Sequence, residues 1–183
     1  FEASLQKGIV LILKKTKNDG KYIFRNIFSP QYELLNEQFL NKKTIKECGF
    51  SVKTGNVVWN TNKDLLSHDT QDTLLVWAHN LKNKSFVFSN KKPQFIKSTK
   101  NLIIKKSIVV NRIIGSGNGI KINATIVEPP FLAENHTNVI QGDEDCYVDL
   151  VEVLTSNNTK LILKNIIGST QLSKKEIENL IPI

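Results

Sequence analysis

Three histidines, His68, His79 and His136, and two cysteines, Cys48 and Cys146, are the residues of this chain best suited to metal or nucleophilic chemistry. Their spacing matches no metal-ligand set, because zinc sites draw on close Cys or His pairs and here every such residue stands far from the next. No Gly-x-Ser-x-Gly elbow occurs, and no Gly-x-x-x-x-Gly-Lys phosphate loop. Gly115-Ser116-Gly117-Asn118-Gly119 is rich in glycine, but a strand rather than a helix is expected after it, so it is not a dinucleotide fingerprint. Glu-x-Lys, a nuclease signature, is absent, and the one Asp-x-Lys, Asp19 to Lys21, falls in an expected hairpin turn. The expectation is a chain with no catalytic site and no metal site of its own.

The chemistry that remains is that of charge and amides. The formal net charge is +8, and of 25 basic residues only Arg25 and Arg112 are arginine. A strongly basic surface suits nucleic acid. Lys, Asn and Ile are all abundant, as AT-rich coding DNA would make them, so a merely solvated lysine surface accounts for the charge equally well. Hydrophobic residues at 40% in a chain of 183 residues point to a soluble globular domain rather than a disordered tail. No apolar run approaches the ~18 residues of a membrane span, no signal-peptide layout opens the chain, and two distant cysteines fit a reducing cytoplasm. The chain opens at Phe1 and has no methionine, which suggests a fragment of a longer protein.

The elements that must position these groups read as α+β: a twisted, mostly antiparallel β-sheet with long loops, followed by a C-terminal helical segment. One domain, 1–183, is expected, in three stretches. Residues 1–48 hold a hairpin of 8–13 and 22–27 around the turn Lys17-Asn18-Asp19-Gly20, then a helix capped by Ser29 with Pro30 in its first turn and Tyr32, Leu35 and Phe39 on one face. Residues 49–141 are β-rich, with strands at 57–59, 74–77, 86–88, 102–104, 108–112, 120–127 and 137–140. Residues 142–183 are helical. Tyr147, Leu150, Val151 and Leu154 form one buried stripe. Ser156 caps a second helix ending near Ile167 with Gly168 as its stop. Ser173 and Glu176 form a capping box that starts a third helix at Lys174, flanked by the apolar pair Leu172 and Ile177.

Four segments, in order, resemble the target-recognition domains of gamma-class DNA adenine N6-methyltransferases from restriction–modification systems. Gly49-Phe50-Ser51-Val52-Lys53-Thr54-Gly55-Asn56-Val57-Val58-Trp59-Asn60 is similar to that family's Ser-Thr-Gly loop leading into a strand, with Lys53 where Ser is common. Leu74-Leu75-Val76-Trp77-Ala78-His79-Asn80-Leu81 resembles its apolar strand ending in a polar-Leu pair. Residues 108–140 carry Val110-Asn111-Arg112, a turn, a β-branched strand and Glu134-Asn135-His136-Thr137-Asn138; the family often has Lys-Arg in place of Asn111-Arg112. Ile167-Gly168-Ser169-Thr170-Gln171-Leu172, then Glu176-Ile177-Glu178-Asn179-Leu180-Ile181-Pro182, resembles its closing Gly-x-Thr-Gln and Leu-Pro pattern. Two stretches, Val127-Glu128-Pro129-Pro130-Phe131 and Ser29-Pro30-Gln31-Tyr32, distantly echo the catalytic Asp/Asn/Ser-Pro-Pro-aromatic motif, but Glu128 stands where the first polar residue belongs and Gln31 replaces the second proline, and both stretches are expected to be loops.

The resemblance implies a division of labour. A catalytic domain absent from this chain binds S-adenosylmethionine and methylates a flipped adenine, while this domain chooses the DNA sequence and holds no cofactor. The implied partners are double-stranded DNA and that catalytic domain, in the cytoplasm of a bacterial cell. Phosphate candidates are Lys53, Lys63, Lys121 and the pair Lys105-Lys106, with the amides of Thr54 and Gly55. Asn56, Asn60, Arg112, Asn118 and Asn135, with Ser116 beside them, are the candidates to contact base edges, because Asn pairs with adenine and Arg with guanine. Asn135 and His136 have a structural alternative, tying a strand to the neighbouring loop. Trp59 and Trp77 read as core, with base stacking as the alternative. A protein-interaction module and an RNA-binding domain remain as competing functions.

Overall fold

The computed structural model describes residues 23–25, 27–28, 31–115, 119–167 and 169–183. In chain order the elements are β1 (Ile23–Phe24), β2 (Ile27–Phe28), α1 (Tyr32–Phe39), β3 (Ser51–Thr54), β4 (Leu66–Ser67), β5 (Thr73–Val76), β6 (Leu81–Lys82), β7 (Ser85–Phe86), β8 (Phe95–Ile96), β9 (Ser107–Asn111), β10 (Ala124–Val127), β11 (Phe131–Ala133), β12 (Thr137–Gln141), α2 (Tyr147–Thr155), α3 (Asn157–Ile166) and α4 (Lys174–Leu180). The fold is α+β, with three of its helices gathered at the C-terminal end. Among the described residues no helix is long and apolar enough to cross a membrane.

In place of one sheet, two four-stranded sheets form, ordered β10-β9-β12-β3 and β11-β5-β8-β4, with small hairpins β1-β2 and β6-β7. The first is antiparallel throughout, and in the second β11 runs parallel to β5. The alternation of strand side chains explains the layering. Val52, Ile140, Ile108 and Val110 turn to one face, where Tyr147, Leu150, Val151 and Leu154 of α2 and Ile177 next to them complete a core. Val109, Val139 and Val127 turn to the other, against Phe131, Ala133, Val76 and Leu81. β9 is therefore buried along its whole length. Leu75, Trp77, Ile96 and Leu132 form a third cluster on the far side of the second sheet.

The C-terminal helices start where their caps do. Ser156 Oγ accepts the Thr159 amide at 3.1 Å. At α4, Ser173 Oγ accepts the Glu176 amide and Glu176 Oε2 accepts the Ser173 amide, closing the box reciprocally. Leu172 and Ile177 beside it are both buried. The expected stop Gly168 lies outside the described residues, as do strand 8–13, its turn, and Ser29 and Pro30.

Several expected strands are shorter or replaced, each for a local reason. The run 22–27 divides into β1 and β2, with Arg25 between them at φ 46°. Only Val57 of 57–59 pairs; the Thr61 hydroxyl and Asn62 amide both donate to the Val58 carbonyl and fold 59–61 into a 3-10 turn. In 86–88 the strand begins at Ser85, after the two-residue turn of Asn83 and Lys84 at positive φ, and ends at Phe86, because its partner β6 starts only at Leu81, after the 3-10 turn of 78–80. Of 102–104 only Ile103 pairs, with Phe131. In 120–127 the strand begins at Ala124, because the Asn111 side chain takes the backbone groups of Lys121 and Asn123. Conversely, Ser51–Thr54, read as a loop leading into a strand, is itself the edge strand β3.

Candidate nucleic-acid interface

Gly55 stands where the two sheets join. Its amide donates to the Thr137 carbonyl at 2.9 Å, the last bond of the β3-β12 ladder. Two residues on, Val57 bonds to the neighbouring segment, its amide donating to Ala133 and its carbonyl accepting from Asn135. The chain thus crosses from β12 to the stretch leading out of β11 within three residues. A Cβ at position 55 would lie 2.2 Å from the Glu134 carbonyl oxygen. Only glycine permits this crossing without displacing backbone.

The crossing opens a groove of about 540 Å³. One wall is Lys53, Thr54, Gly55 and Asn56; the other is residues 101–105; Ala133 and Val139 lie at its floor, with Gln141 at one end. Lys53, Asn56, Asn101 and Lys105 are exposed. Neither Lys53 nor Lys105 has a carboxylate partner among the described residues. Lys106 differs: it is bonded to Glu128 at 2.8 Å, which holds its pKa above the usual lysine value. So of the adjacent pair, Lys105 is the cation left for a ligand.

The segments singled out by the resemblance meet at one end of the first sheet. The buried Asn138 side chain accepts the Thr54 hydroxyl at 3.1 Å and donates to the Leu172 carbonyl at 2.9 Å. Leu172 in turn donates its amide to Arg112 at 2.7 Å, and Ile114 donates to Thr170 at 3.0 Å. The strand of the second segment joins through the Val76 carbonyl, which accepts the Glu134 amide at 3.0 Å. β3 and β9 are separated only by β12, so Arg112 and the groove wall are ~10 Å apart at the same end.

Arg112 is partly buried, with its backbone bonded to His136 and Leu172 and its Nη1 donating to the Asn135 carbonyl at 3.1 Å. Its Nε is buried without a partner among the described residues, as is Asn135 Oδ1. The tie between strand and loop expected of Asn135 and His136 is made by backbone and by Glu134. This carboxylate, 2% exposed, accepts the His136 amide at 2.9 Å and meets His136 Nδ1 at 2.7 Å. Asn111 is buried and its amide group serves three backbone partners, Ile113, Lys121 and Asn123, so it has no capacity left for a phosphate.

Other expected residues are placed elsewhere. Asn60 and Lys63 are on successive 3-10 turns at the surface, with Lys63 Nζ 5.5 Å from the Trp59 ring. Lys121 lines a separate hollow of about 340 Å³ with Lys84, Glu152 and Lys160. Ser116 and Asn118 lie outside the described residues. Trp77 is core, its indole N–H donating to the Pro93 carbonyl at 2.9 Å. The Trp59 face is covered by Lys92 Nζ at 3.6 Å. Among the described residues no three His, Cys, Asp or Glu side chains gather as a metal site. Asn101, Leu102, Ile103 and Gln141 went unnoticed in the sequence as site residues, since no motif marks them and only folding brings them to the groove; Glu134 lies in a resembling segment, but nothing in that segment pointed to its place at the crossing.

No protein-family model matches the chain, and no curated protein matches it.

Proposed function

We propose that this chain binds double-stranded DNA sequence-specifically, as the target-recognition domain of a site-specific adenine methyltransferase of the restriction–modification type. The S-adenosylmethionine-binding catalytic domain would belong to the rest of the protein, and this chain would hold no cofactor. The observation that carries the reading is the hydrogen-bond chain Thr54–Asn138–Leu172–Arg112, which joins three of the four resembling segments at one sheet end. Those segments are far apart in sequence, and they converge beside Lys53 and Lys105, which have no carboxylate partner among the described residues.

In this reading Lys53, Lys63, Lys105 and Lys121 contact phosphates, with the Thr54 and Gly55 amides at the groove rim. Arg112 and Asn135, held together at the sheet end, contact base edges with Asn56, Asn60, Ser116 and Asn118. The bacterial cytoplasm is the compartment this activity requires.

A mobility-shift assay across salt concentrations tests the proposal. Duplex affinity should fall steeply with salt, because each phosphate contact releases a counterion. Arg112→Ala should lower discrimination at one base pair by roughly 1–3 kcal/mol. Lack of duplex affinity at low salt, in this chain and in the full-length protein alike, rules the reading out.

A further inference from the structure

We infer that the groove between Lys53–Asn56 and residues 101–105 receives a single unpaired nucleotide of the bound DNA; this rests on the proposed DNA-binding function and extends it. The size of the groove, about 540 Å³, falls within the ~300–1,000 Å³ typical of small-ligand sites. A duplex cannot enter such a space, since its major groove alone is ~12 Å across. A duplex can only ride on the rim, and a base reaches the floor only by leaving the stack.

The lining has the chemistry of a nucleotide, region by region. Leu102, Ile103, Ala133 and Val139 give an apolar surface for the flat faces of a base. Ile104, 73% exposed, projects at the same wall. Among the described residues little covers this side chain; against DNA, apolar side chains of this kind wedge into base steps and unstack them. Asn56 and Asn101 are exposed amides on opposite walls, each able to donate to and accept from a base edge. Lys53 and Lys105, also on opposite walls and free of carboxylate partners among the described residues, suit the flanking phosphates.

The test uses the chain with two duplexes of one sequence, one fully paired and one carrying a single-nucleotide bulge of 2-aminopurine. The bulged duplex should bind about tenfold tighter, with a change in 2-aminopurine fluorescence on binding. Ile104→Ala should bring the ratio of the two affinities close to one. Equal affinity of the unaltered chain for both duplexes, with unchanged fluorescence, overturns the groove assignment and leaves duplex binding standing. Failure to bind either duplex while free deoxyadenosine monophosphate binds, and loses affinity in Ile104→Ala, keeps a nucleotide groove but overturns the DNA reading. No binding of any of the three probes overturns both.

Discussion

Gly55 approaches Glu134 so closely that a single added methyl group would stand 2.2 Å from the Glu134 carbonyl oxygen. One wall of the groove depends on that contact, since it lets the chain pass from β12 to the segment leading out of β11 within three residues. Gly55→Ala must push backbone apart, a form of overpacking that costs ~1–3 kcal/mol. A lowered urea midpoint with unchanged slope is the expected result. The variant should also weaken DNA binding at temperatures where it remains folded.

The lysines of the groove divide by partner. Lys53 and Lys105 lack carboxylate partners among the described residues, whereas Lys106 is bonded to Glu128. Lys53→Ala and Lys105→Ala should each reduce the slope of log affinity against log salt by about 1. Lys106→Ala should leave that slope nearly unchanged. Binding isotherms across a series of salt concentrations separate the three variants, and equal effects from all three would mean that ion pairing does not select the phosphate contacts.

Asn80 holds the turn after β5 from inside. It is fully buried; its Oδ1 accepts the Trp77 amide at 2.8 Å, and its Nδ2 donates to the Val87 carbonyl at 2.9 Å and to Gln94 Oε1 at 2.5 Å. Asn80→Leu removes all three bonds and leaves buried polar groups unpaired, at roughly 1–3 kcal/mol for each such group. Thermal unfolding should show a clear fall in Tm. A neutral outcome would mean that water reaches those groups.

His79 lies against the Trp77 ring, with centroids 5.6 Å apart. Burial lowers its pKa below the usual histidine value, and Lys91 and Lys92 lower it further. The sign follows: with the folded pKa depressed, the unfolded chain takes up the proton first as pH falls. Stability is therefore intact above about pH 6.5, the ordinary histidine value, and declines below it towards the folded pKa. His79→Phe should flatten this part of the stability curve. Denaturant midpoints measured at about pH 7.5, 6.5 and 5.5, conditions on either side of that value, compare the two proteins; parallel curves would show that His79 is not the group responsible.

By itself the sequence determined what is decided within a few residues. The α2 stripe, the Ser156 cap and the Ser173–Glu176 box all form as their spacing implies, because helix periodicity and capping depend on neighbours along the chain. The apolar run at 108–112 likewise yields β9, buried on both faces. Side-chain hydrogen bonds to backbone were less legible: Asn62 on Val58 and Asn111 on Asn123 trim expected strands, and the residue types alone do not say which backbone groups they will reach. Only the tertiary structure decided that Lys53 and Lys105 face one groove, that Lys121 faces another hollow, and that Glu134 is buried against His136. The physical reason is register. A strand's partner, and with it the set of side chains across from it, is chosen by packing of distant segments, and no local pattern in this chain encodes that choice.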